Sequence, residues 1–166
     1  MPINKMLKSI IYGFILMLIA AGILYGFSLA TRGISGGNSD SAYTETLKTN
    51  IGNMRQIQTD EANLIQRWRA GTVDAGTAVG SFADHKARRQ QLNTNFFSRA
   101  APKEFTEVHF TLKDSNDIYI EADDLYRDGV FKSNDGLISS ADAKAATAKQ
   151  MFDDAIAQMN TLGVNV

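Results

Sequence analysis

Residues 138–162, ISSADAKAATAKQMFDDAIAQMNTL, decide the fold. Ile138, Ala141, Ala145, Ala148, Phe152, Ala155, Met159 and Leu162 recur three and four residues apart, which lays one apolar seam along an α-helix. A half-buried strand would alternate with a period of two, and no such alternation occurs here. Alanine supplies half of the seam, so a neighbouring helix can approach closely. Ser139 or Ser140 is expected to cap this helix, and Gly163 to end it.

The same rhythm continues towards the amino end. KSNDG at 132–136 reads as a turn. Before it, Phe105, Val108, Leu112, Ser115, Tyr119, Ala122 and Tyr126 predict a third helix from about Pro102 to Val130, with Pro102 in the first turn where its missing N–H is harmless. Ala78, Phe82, His85, Arg89, Leu92 and Phe96 predict a second helix that starts after Thr72 and stops over 98–101. The longest register is Tyr43, Leu47, Asn50, Met54, Ile57, Glu61, Leu64 and Trp68, widened by Ile51 and Ile65, and it ends near Arg69 to Gly71. Four amphipathic helices on short turns imply an all-α, up-down-up-down four-helix bundle over 41–162, followed by a tail at 163–166.

Ahead of the bundle, residues 31–40 (TRGISGGNSD) carry three glycines and read as a flexible linker. Residues 10–30, IIYGFILMLIAAGILYGFSLA, hold no charge; as a helix they reach about 30 Å, the thickness of a bilayer core. Ser28-Leu29-Ala30 fits a small-x-small cleavage rule, but the apolar run is longer than a signal peptide needs and Arg32 follows at once, which favours an uncleaved signal anchor. Lys5 and Lys8 within residues 1–9 place the amino end in the cytoplasm and the bundle in the periplasm or outside the cell. Gly22, Gly26 and Ala30 repeat every fourth residue, a small face on which a partner helix or a second copy could pack.

The chain has 166 residues, net charge −1 and no cysteine, which removes disulfides, thiolate metal sites and cysteine nucleophiles. Residues 62–103 carry seven Lys/Arg against two acids, and 104–166 carry five against twelve. Adjacent antiparallel helices of opposite charge account for this, and a domain that is acidic as a whole gives no nucleic-acid signal. No Gly-rich phosphate loop, nucleophile motif, EF-hand loop or Glu-x-x-His pair occurs, so neither an enzyme nor a cofactor is expected.

Two groups of residues remain as candidates. Gln58, Glu61, His85, Arg89 and Ser115 are polar groups on or beside core-facing positions, with Gln58 expected level with His85 and Glu61 a turn away. They form either a structural polar layer that fixes helix register or a pocket for a small polar or anionic ligand. Asp114, Asp117, Glu121, Asp124 and Asp128 form an acidic stripe on the third helix, with Phe110 near the same outward face. That stripe is either a solvated face or a docking surface for a basic partner.

Lys5 and Lys8, the span at 10–30 and the Tyr43-Leu47-Met54 register together resemble the organisation of bacterial chemoreceptor sensor domains. The resemblance implies an extracytoplasmic helical bundle on a membrane helix. Where that family has a second span and a signalling coiled coil, this sequence has only GVNV after Leu162, and its glycine linker would uncouple the bundle from the span. The expectation is therefore an anchored accessory or scaffolding subunit whose partners are the lipid bilayer and other membrane subunits. A tethered sensor acting through a partner, or a filament subunit assembled through the amino-terminal helix, are the alternatives.

Overall fold

The computed structural model describes residues 39–166, and among these the chain is helical without strands. The span at 10–30, the residues before it and the Gly22, Gly26 and Ala30 face lie outside the described residues. No described helix is long and apolar enough to cross a membrane.

Helix α1 runs Ser39–Arg69, α2 Ala75–Leu92, α3 Thr106–Lys132 and α4 Asp135–Thr161. Ser39 and Asp40, the last residues of the expected linker, thus already belong to α1. Asp74 caps α2 by accepting from the Thr77 N–H at 2.9 Å. Beyond Leu92 the helix widens into a π-turn, Asn93–Phe97, closed by Ser98 N–H to Asn93 O at 2.9 Å. The extra residue in that turn shifts the phase and buries Phe97 beside Phe96.

Two expected boundaries move. Pro102 stands just before a short 3₁₀ turn, Lys103–Phe105, and not inside α3. Helix α4 is capped by Asn134, whose side-chain oxygen accepts from the N–H groups of Gly136 and Leu137, and not by Ser139 or Ser140. The turn is tighter than the sequence suggests because Ser133 adopts a left-handed φ of 50° and the Asn134 N–H folds back onto Gly129 O at 2.8 Å. Gly129 is required there: a Cβ would stand 2.8 Å from Ile138 Cγ1 and 3.1 Å from the Ile138 backbone nitrogen. Gly163 ends α4 with φ +78°, as its position suggests.

Each helix runs antiparallel to its neighbours. Tyr43 meets Phe96 while Glu61 meets Arg89; Phe82 stacks on Tyr126 while Asn93 meets Asp117; Ser115 reaches Ala148 while Tyr126 reaches Asp142. Arg55 over Phe152 and Arg69 on Asp142 close the ring between α1 and α4. Ser39–Val166 form one compact unit.

The core of this unit is divided. One apolar cluster, at the end where α1 begins, contains Leu47, Met54, Phe96, Phe97, Phe105, Leu112, Phe152 and Met159. The other, at the far end, contains Leu64, Ala78, Phe82, Tyr126, Val130 and Ala141, with Trp68 packed against it. Leu162, the last expected seam residue, is 44 % exposed. Between the clusters every helix contributes polar or small residues, and the candidate site lies there.

Candidate functional site

Arg89 is the centre of this middle layer and is fully buried. Its Nη2 donates to Glu61 Oε2 at 2.5 Å and its Nε to Asp123 Oδ2 at 3.1 Å. The guanidinium also lies over the ring of Tyr119, 4.1 Å from its centroid, and the Asn116 side chain donates to the Arg89 carbonyl at 2.9 Å. Three helices therefore meet on one cation, which aligns α1, α2 and α3 lengthwise. His85, one turn earlier on α2, is also buried, and one of its ring nitrogens lies within 4.8 Å of carboxylate oxygens of both Glu61 and Asp123.

Burial sets the protonation states. Removal from water raises Asp123 to about 8, reinforced by the nearby Glu61 carboxylate and opposed by Arg89. At neutral pH Asp123 therefore holds a proton most of the time. Glu61 is also raised by burial, against the pull of Arg89. Burial, with the Arg89 and Arg88 charges, lowers His85 to about 4, so its ring is neutral. Even so, Asp123 Oδ1, Arg89 Nη1 and His85 Nδ1 are buried without a hydrogen-bond partner.

Glu61 and Tyr119 reach outward from this layer to the floor of a cleft of about 460 Å³ between α1 and α4. Ala62, Ile65, Ala145 and Ala146 supply apolar walls, and Gln58, Thr59, Asn63 and Lys149 line the rest. The Gln58 side-chain nitrogen is buried and unpartnered. Small alanines on α4 leave the cleft open, since no long side chain fills the seam at that height.

The structure brings Glu61, His85 and Arg89 together and separates two other candidates from them. Arg88 pairs with Asp60 as Arg89 pairs with Glu61, so Glu61, and not Gln58, is level with the His85–Arg89 turn. Gln58 lines the cleft instead. Ser115 is buried but donates to the Ala148 carbonyl at 2.7 Å, tying α3 to α4. Asp123 and Asn116 take the places around Arg89. Both lie one position past a core-register residue, Ala122 and Ser115, and the sequence signal for them is that α3 packs on two neighbours and so buries a wider stripe.

Four of the five acidic-stripe residues are ion-paired while remaining partly exposed. Asp117 pairs with Lys113 and Asn93, Asp124 with Lys86 and Arg127, Glu121 with Lys144, and Asp128 with Lys132 and Arg127. Lys86 and Asn93 draw Asp124 and Asp117 towards the α2 side and Lys144 draws Glu121 towards α4, while Asp128 pairs within α3; Asp114 alone of the five is exposed with no ion pair. Phe110 is 57 % exposed, but its nearest exposed aromatic on α3, Phe131, lies about 30 Å further along the axis, too distant to share a patch. His109 stands apart from His85: it joins the Tyr43 hydroxyl at 2.8 Å and packs against Phe96 and Phe97.

No family model, curated protein or solved structure matches this chain. The chemistry of the middle layer and its cleft is thus the basis for a functional reading.

Proposed function

We propose that this is a non-enzymatic, single-pass protein of the cell (inner) membrane whose helical bundle serves as the ligand-binding accessory subunit of a larger membrane assembly. Residues 10–30 anchor it, with the amino end in the cytoplasm and the bundle in the periplasm or outside the cell; the uncharged run and its flanking lysines support that topology. Gly22, Gly26 and Ala30 supply the face on which a partner subunit or a second copy packs.

The observation that carries the binding role is the cleft between α1 and α4, which combines apolar walls, hydrogen-bonding groups on its lining and a floor backed by the buried Arg89 layer. Such a mixture suits a small polar molecule held by a few directed groups.

The test is thermal melting of the full chain in mild detergent against a panel of small anions and polar solutes. At least one is expected to raise the melting temperature by several degrees. Ala146→Trp, which fills the cleft from an exposed position, is expected to abolish the shift. No shift with any solute, or a shift that Ala146→Trp leaves intact, contradicts the reading.

A further inference from the structure

We propose that Glu61, His85 and Asp123 form a binding site for one divalent first-row transition-metal ion, with Arg89 as the residue that orients its carboxylates. The three side chains come from α1, α2 and α3, and one donor atom of each lies within 4.8 Å of the other two. Ligands bound to one such ion at about 2.0–2.2 Å stand about 3–4 Å apart, so small rotamer adjustments close the set. Helical bundles commonly build metal sites in this way, from inward-facing side chains on separate helices.

Proximity alone would not distinguish this from a structural ion cluster. The second observation is the set of unused donors. Asp123, 1 % exposed, commits Oδ2 to Arg89 and leaves Oδ1 with no partner, although a buried carboxylate oxygen without a partner is costly. His85 Nδ1 is likewise buried and unpartnered, and imidazole nitrogen is a common ligand of such ions. Glu61 uses Oε2 for Arg89, so its other oxygen is available to an ion.

Arg89 contacts one oxygen of each carboxylate, the arrangement by which outer hydrogen bonds orient metal-ligating carboxylates. An imidazole nitrogen with two carboxylate oxygens suits Zn²⁺, Co²⁺, Fe²⁺ or Mn²⁺ better than Mg²⁺ or Ca²⁺, which prefer all-oxygen sets. Access runs through the cleft, since Glu61 belongs both to its floor and to the cluster.

Co²⁺ is the probe, added to the untagged full chain in detergent. One equivalent is expected to bind, with visible d–d absorption bands that an equivalent of Zn²⁺ removes. His85→Gln, at a side chain that packs against Phe82, is expected to weaken binding at least tenfold while retaining the helical circular-dichroism spectrum. Should that variant unfold, Asp123→Asn is read in the same way. Absence of stoichiometric Co²⁺ binding by the wild type overturns the proposal, as does binding that a folded His85→Gln or Asp123→Asn variant retains at full strength.

Discussion

Replacing Arg89 with methionine removes the one cation of the middle layer while keeping most of its volume. Arg89 is fully buried, and so, within a few per cent, are its partners Glu61 and Asp123. Removing one member of such a pair costs about 3–5 kcal/mol, because a charge is left in the interior without compensation. Asp123, held at about 8, already carries its proton at pH 7, so Glu61 is the main group left uncompensated. Loss of the cation over the Tyr119 ring adds about 1–2 kcal/mol at a desolvated site. A total of about 4–7 kcal/mol is a large fraction of the roughly 5–15 kcal/mol that holds a domain of this size together. The assay is urea unfolding of the full chain at pH 7, followed by far-ultraviolet circular dichroism, for Arg89→Met in the wild type and in a Glu61→Gln/Asp123→Asn background. In that neutral background Arg89 is itself the uncompensated buried charge, so the same substitution is expected to cost nothing or to stabilise the fold. Equal costs in both backgrounds would mean that the ion pairs do not act together, and would refute the reasoning.

Stability should also depend on pH in an unusual window. Asp123 binds its proton more tightly in the folded state, so its contribution is complete below the unfolded value of about 3.9 and is lost as pH rises through 8. His85, lowered to about 4, acts in the opposite sense: its contribution is present above about 6.5 and lost as pH falls through 4. The two oppose each other between those values, so thermal melts from pH 5 to 9 should show a net decline of up to ~2 kcal/mol from pH 6.5 to 8. Asp123→Asn should flatten that decline, with Glu61, Arg89 and Asp124 around it unchanged; a flat wild-type profile would contradict it. Gly129→Ala should cost about 1–3 kcal/mol by forcing α3 from the start of α4, and a melting temperature unchanged within a degree would show that the turn yields freely. Charge reversal of Asp117, Glu121 and Asp124 together should lower stability by about 1–3 kcal/mol, since each breaks a partly exposed pair with Lys113, Lys144 or Lys86. Unchanged stability in that variant would show that these pairs contribute nothing to holding the helices together.

The helical register was readable because heptad-like spacing is a local property. Leu47, Met54, Phe82, Leu112, Phe152 and Met159 are buried where their spacing places them. Glu61, His85 and Arg89 were likewise legible as polar residues on core-facing positions. Their actual pairing was not, because it depends on how α1 and α2 slide past each other, and the turn ending at Asp74 sets that offset. Asp123 and Asn116 escaped a narrow 3-4 seam because α3 buries a wider face. Phe97 escaped because a π-turn, which no spacing rule anticipates, rotates it inward. The acidic stripe looked uniform in sequence, yet its partners Lys86 and Lys144 lie on different helices, and only packing brings them to it.

The role proposed for the α1–α4 cleft is to hold a small molecule for a membrane assembly. Native mass spectrometry of the full chain, released gently from membranes, tests this most directly when wild type and Ala146→Trp are compared. The wild type is expected to carry a bound small molecule and partner subunits, and the variant with the filled cleft to lose the small molecule alone. A bare wild-type chain, or identical bound masses in both proteins, would contradict it.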